Sequence, residues 1–175
     1  LGAAQAAEEI AGLLKDPDAR ARMAAINALK RLQAKELGSR ILPLLKDPDE
    51  RVVLWAIQAV QVLKPAGSTR ELASFLGRHS FESVRSAMVE IGAKEALPVI
   101  RPLLTHANGA VRADAVKLAS EFQGGVSIQE VLALLHDPAP EVRVTAVHVS
   151  GRLKVKEALP RLVELLEQKE TRHSS

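Results

Sequence analysis

The chain has 175 residues, 47% of them hydrophobic and 26% charged, and carries a net charge of +3 at neutral pH; that suits one globular domain or one short array of repeats. The absence of cysteine excludes a disulfide framework and a thiolate metal site and fits a reducing, cytoplasmic setting, and 24 Lys/Arg against 21 Asp/Glu excludes a basic nucleic-acid arm. No apolar run approaches the roughly 20 residues of a membrane span, and with aromatics at only 2% a core must be built from Leu, Ile, Val and Ala.

The first predicted helix covers residues 3–15. It is alanine-rich with Glu8 and Glu9 inside it, which is unlike a secretory signal, and the missing initiator Met points to a fragment of a longer chain. It closes on Leu13-Leu14-Lys15-Asp16-Pro17-Asp18. The same phrase returns as Leu44-Leu45-Lys46-Asp47-Pro48-Asp49-Glu50 and as Leu134-Leu135-His136-Asp137-Pro138. It reads as a helix end, a sharp turn and a new helix. Asp47 is expected to cap the new helix, Pro48 to take its first position, and Glu50 to complete a capping-box spacing.

The remaining elements fall into pairs: 18–33 with 37–46, 49–63 with 68–77, 82–92 with 96–106, 109–122 with 127–136, and 139–153 with 157–169. Two markers fix the period. The closing leucines Leu14, Leu45, Leu76, Leu104, Leu135 and Leu166 are spaced 31, 31, 28, 31 and 31, and Ala25, Ala56, Ala87, Ala115 and Ala146 give 31, 31, 28 and 31. In the first helix of each pair, the A helix, that alanine belongs to one apolar stripe at ~100° per residue. In the second, the B helix, Ile10, Ile41, Leu72, Ile100, Val131 and Leu162 precede the closing leucine by four residues and form a second stripe. One hairpin cannot bury both stripes, whereas a stack can.

The third pair departs from the rule. His79-Ser80-Phe81 replaces Asp-Pro, and Gly92-Ala93-Lys94 is where the three missing residues are expected. The fourth has Asn108-Gly109 as its turn and Gly124-Gly125 in its A-to-B link, predicted as the softest link.

An Asp-Pro turn, then Val-Arg or Ala-Arg, then Ala four residues on, as from Asp137-Pro138 through Val142-Arg143 to Ala146, resembles a HEAT repeat. The short period and endings such as Lys156-Glu157-Ala158-Leu159-Pro160 are most similar to the bacterial subtype also found in phycobilin lyases. The resemblance implies an all-α, right-handed α-α superhelix, a HEAT-like solenoid of about five helical hairpins plus an N-terminal half-repeat, forming a single domain over 1–175. It also implies an interaction scaffold, and pairing of Arg22, Arg112 and Arg143 with the turn aspartates Asp16, Asp47 and Asp137 between neighbouring repeats.

The inner surface should then be a wall of outward B-helix residues: Arg40, Lys46, Arg70, Glu71, Arg101, Gln129, Glu130 and Arg161, with Pro43 and Pro102 bending their helices. Outside, Met23, Leu54, Trp55 and Val89 make an apolar patch suited to a partner. Lys30, Arg31, Lys35, Lys64, Lys94, Arg152, Lys154 and Lys156 collect at the A-to-B turns, as the helix dipole favours. A phosphate backbone or another polyanion along that edge is the second reading, although nucleic acid is disfavoured by the break at Glu121 to Gly125. His79, His106 and His136 fall at turns too far apart to converge on one metal ion.

No enzyme signature is present. None of the five histidines precedes a Glu, as a HEAT-like iron hydroxylase would need, and one Trp without Tyr cannot build the aromatic cleft of a HEAT-like DNA glycosylase. No phosphate loop or Ser/His/Asp set appears. The sequence therefore points to a non-catalytic protein-protein interaction scaffold without cofactor or metal. Its partner is another protein or another domain of the same chain, and a phycobilin lyase-like accessory subunit is the third reading.

Overall fold

The local rule that starts most of the A helices is an aspartate or asparagine two residues inside the turn. In the computed structural model, which describes residues 2–78, 81–160 and 163, Asp18 accepts the Arg20 N–H at 2.8 Å to open α2 (Ala19–Arg31), and Asp49 accepts the Arg51 N–H at 2.9 Å to open α3 (Glu50–Leu63). The expected cap, Asp47, lies two residues outside the observed one, Asp49. Its carboxylate instead accepts the Asp49 N–H at 2.9 Å, and Pro48 belongs to the extended turn rather than to the first helical position. Asp16 and Asp137 do the same for Asp18 and Ala139.

In chain order the helices are α1 (Gly2–Gly12), then α2 and α3, α4 (Ser68–Ala73), α5 (Phe81–Ile91), α6 (Ala93–Ile100), α7 (Gly109–Ala119), α8 (Ile128–Leu134) and α9 (Pro140–Leu153). The described residues contain no strand, and none of their helices is long and apolar enough to cross a membrane. The chain is all-α with the make-up of a HEAT-like α-solenoid. Its contacts gather into two compact units, Leu1–Val99 and Ile100–Ser175.

In the first unit, α2 packs on α1 and α3, and α3 packs on α5 and on the segment Lys35–Lys46. The alanine-led stripe is the contact: Ala25, Ile26 and Leu29 in α2 and Ala56, Ile57 and Val60 in α3 are all buried. The partner stripe is buried as well, through Ile41, Leu45, Leu72 and Leu76. In the second unit, α7 packs on α9 and on Arg101–Thr105, and Leu135, Ala146, Val155 and Ala158 form a cluster joined by Leu132, Leu134 and Val147.

The B elements depart most from expectation. Lys35–Lys46 is a 3-10 helix throughout, and Leu13–Lys15, Arg101–Thr105 and Lys156–Ala158 are shorter 3-10 pieces. Pro43 has no N–H to offer the carbonyl four residues back, and Pro102 stands at the start of its piece, so neither stretch can run as an uninterrupted α-helix. α4 stops at Ala73 rather than 77. Most of the last B helix expected at 157–169, with Leu162 and Leu166, lies outside the described residues, as does His79.

The A helices leave through a left-handed residue. Gln33, Lys64 and Lys154 have φ of 50°, 48° and 55°, and Gly92 and Gly124 have 103° and 71°. Gly92 alone links α5 to α6, which accounts for the short third repeat. The Gly124-Gly125 link is tied down rather than loose. Gly125 is buried, donates to Phe122 O at 3.0 Å, and its carbonyl accepts Nη1 of Arg101 at 2.9 Å.

Candidate interaction surface

Charge on this chain is organised first by the turns. Nε and Nη2 of Arg22 both donate at 2.8 Å to the carboxylate of Asp47 in the next repeat. Arg112 repeats this on Asp137 at 3.0 and 2.6 Å. Both pairs are largely enclosed, with side-chain exposures of 11% and 4% in the first and 11% and 9% in the second. The fork geometry holds each arginine firmly protonated, and the Arg112 hydrogen bonds draw Asp137 below the usual carboxylate range. Asp49, gripped by the Arg51 side chain, falls from 3.8 to about 2. The pairing expected between repeats is therefore present at Asp47 and Asp137. Arg143 keeps only its bonds to the carbonyls of Asp137 and Pro138 among the described residues.

Four of the eight predicted wall residues pair with one another, and Arg40 pairs with Glu8 of α1. Arg40 meets Glu8 at 2.8 Å, Lys46 meets Glu71 at 2.8 Å, and Arg101 meets Glu130 at 2.7 Å. Each pair joins one B element to the next. Glu130 also closes a capping box with Ser127, whose N–H is the main cause of its lowered pKa. Arg70 and Gln129 are exposed, and Arg161 lies outside the described residues.

The outer patch divides in two. Trp55 is half-buried with the Lys30 ammonium 4.9 Å from its ring centroid, so its face is covered from α2. Met23 is half-buried and Val89 exposed. Leu54, 40% exposed, turns the other way and lines a groove of about 870 Å³ with Lys46, Glu50, Val53, Phe75 and Arg78. Lys46 from the wall and Leu54 from the patch thus share one depression, which sequence spacing had kept apart. The participants it missed are Val53, Phe75 and Arg78. Their signal was a break in the ladder: Val53 stands where Arg22 and Arg112 stand, and Arg78 follows Leu76 where Asp47 follows Leu45.

Three of the eight cations of the basic edge are engaged. Lys30 lies on Trp55, Lys64 donates to the Glu90 carbonyl, and Arg152 pairs with Glu121 at 2.6 Å and with the Ser120 hydroxyl. Glu121 is therefore a partner of that edge. No group of His, Asp and Glu able to hold a metal occurs among the described residues, and His106 serves its turn by accepting the Asn108 N–H at 3.1 Å.

Residues 7–91 match the family model for HEAT repeats. The match supports a HEAT-repeat protein. It spans the first two full hairpins and α5, where the alanine stripe and the Arg22–Asp47 rung are found. HEAT repeats generally act as non-catalytic scaffolds for protein interactions. No curated protein matches the chain.

Proposed function

We propose that this HEAT-repeat chain is a protein-interaction scaffold whose main contact is the groove beside Leu54 and Lys46. The supporting observation is Leu54 itself: a large apolar side chain left 40% exposed at the rim of a depression floored by Val53 and Phe75. The predicted wall residues Arg40, Arg70 and Glu71 in the first unit, and Arg101, Gln129 and Glu130 in the second, suit the same role. Exposed ion pairs contribute only ~0–1 kcal/mol each, so a partner can exchange them at little cost. The 31-residue period on both sides of Val99 and Ile100, with one interval of 28 between Leu76 and Leu104, supports treating 1–175 as one array. Because Lys30, Lys64 and Arg152 each have neighbours holding them, the scaffold reading is favoured over a polyanion edge.

Affinity capture from nuclease-treated source lysate tests this with wild type and Leu54→Glu side by side. A salt-resistant protein retained by wild type and lost by Leu54→Glu is expected. Capture that Leu54→Glu leaves unchanged, or only salt-labile nucleic acid before nuclease treatment, would overturn it.

A further inference from the structure

Three arginines of this chain make the same fold-back contact. Nη1 of Arg22 donates to the carbonyls of Asp16 and Pro17 at 2.8 and 3.0 Å, that of Arg112 to His106 and Ala107 at 2.6 and 3.0 Å, and that of Arg143 to Asp137 and Pro138 at 2.8 and 2.9 Å. The acceptors always lie six and five residues before the arginine. The B-to-A turn is therefore a socket for a guanidinium, built from two convergent backbone carbonyls.

In α3 that socket is made and left empty. Val53 occupies the arginine position, and the carbonyls six and five residues back are those of Asp47 and Pro48; no donor reaches either among the described residues. The turn keeps its form, since Asp47 still accepts the Asp49 N–H and Asp49 still caps α3. Asp47 and Val53 both line the groove of about 870 Å³. Of its own cations, Lys46 is paired with Glu71, and Arg78 lies within the groove over the Phe75 ring at 5.7 Å. Glu50, at the rim, has no partner among the described residues.

We propose that this socket receives an arginine side chain from a partner protein. The guanidinium donates to the carbonyls of Asp47 and Pro48, its methylene stem lies on Val53 and Leu54, and the Glu50 carboxylate supplies opposite charge at the entrance. The inference rests on the scaffold reading and narrows it to one side-chain chemistry on the partner.

The probe is a blocked Gly-Arg-Gly peptide titrated into the whole chain and followed by amide chemical shifts. Saturable shifts confined to residues 47–54 and 74–78 are expected, with the citrulline peptide, which keeps the shape without the charge, leaving them unmoved. Val53→Arg fills the socket from within, using a residue that three other turns already accommodate, and should weaken peptide binding by about tenfold or more. Circular dichroism and melting of that variant check that it folds. No saturable shift, equal response to citrulline, or unchanged binding by folded Val53→Arg overturns the proposal. A lysate partner that Val53→Arg still captures also overturns it and leaves the scaffold reading standing. Peptide binding abolished by Val53→Arg with no partner captured supports the socket and counts against the scaffold.

Discussion

Asp137 holds Arg112 of the preceding repeat through two hydrogen bonds of 3.0 and 2.6 Å while its Oδ1 also accepts the Ala139 N–H at 2.8 Å. One carboxylate thus fixes both the turn and the junction between repeats. Asp16 holds the equivalent place in its own turn, yet among the described residues its carboxylate accepts only the Asp18 N–H. The two aspartates should therefore differ when removed. Asp137→Ala is expected to cost about 2 kcal/mol, as loss of hydrogen bonds to a charged group does, and Asp16→Ala under about 1 kcal/mol. Urea titrations of both variants measure the gap; equal losses would mean that the junction contributes nothing beyond the turn.

The same carboxylates make stability sensitive to acid. Asp137 and Glu130 are drawn below their ordinary values, and Asp49 to about 2. A group with a depressed folded-state pKa binds its proton more readily in the unfolded chain, so its contribution is complete above the ordinary carboxylate range, about pH 4, and is lost as the pH falls towards 2. Urea midpoints should be level between pH 7 and 5 and drop steeply at pH 3. Asp137→Asn should show a shallower drop. A wild-type midpoint unchanged at pH 3 would contradict this.

The period was legible because burial repeats with it. Leu14, Leu45, Leu76, Leu104 and Leu135 are all buried, as are the five stripe alanines from Ala25 to Ala146. Spacing alone carries that information, since a residue at a fixed offset in a stacked repeat meets the same neighbour each time. What did not follow was geometry decided by single atoms. An Asp-Pro-Asp turn offers two carboxylates two residues apart, and it is Asp49, extended at φ −93° and ψ 114°, rather than Asp47 that caps. Pro43 announces a missing donor but not that all of Lys35–Lys46 runs as 3-10 helix. The groove was hidden for a different reason. Val53 fits an apolar stripe so well that the arginine it replaces goes unnoticed unless the ladder is counted rung by rung.

Gly125 is where the fourth repeat tolerates no side chain. A Cβ there would stand 1.9 Å from the carbonyl oxygen of Ala119, the last residue of α7, and 3.1 Å from that of Phe122 in the following turn. Gly125→Ala must displace this link together with the bond from Arg101 and should cost ~2–3 kcal/mol, as overpacking does. Gly124, at φ 71° with open space around its would-be Cβ, should lose only ~1 kcal/mol on the same change. Thermal melts of the two variants rank them, and the reverse order would show that the close approach to Ala119 is not maintained in solution.

Lys154 closes α9 in the left-handed region, at φ 55° and ψ 42°, with its N–H bonded to the carbonyls of Gly151 and Ser150. A Cβ in that conformation costs ~1–2 kcal/mol, and glycine escapes it while losing ~0.5–1 kcal/mol through the freedom of the unfolded chain. Because the lysine side chain is exposed and makes no described contact, Lys154→Gly should leave a net gain of ~0.5–1 kcal/mol. Lys154→Ala keeps the Cβ and should give none. At Lys64, φ 48°, the same change to glycine also removes the bond from its ammonium to the Glu90 carbonyl, so the gain there should be smaller. Urea midpoints of the three variants separate the terms: a gain shared by Lys154→Ala would trace to the lost charge, and a gain confined to the glycine variants would trace to the left-handed exit.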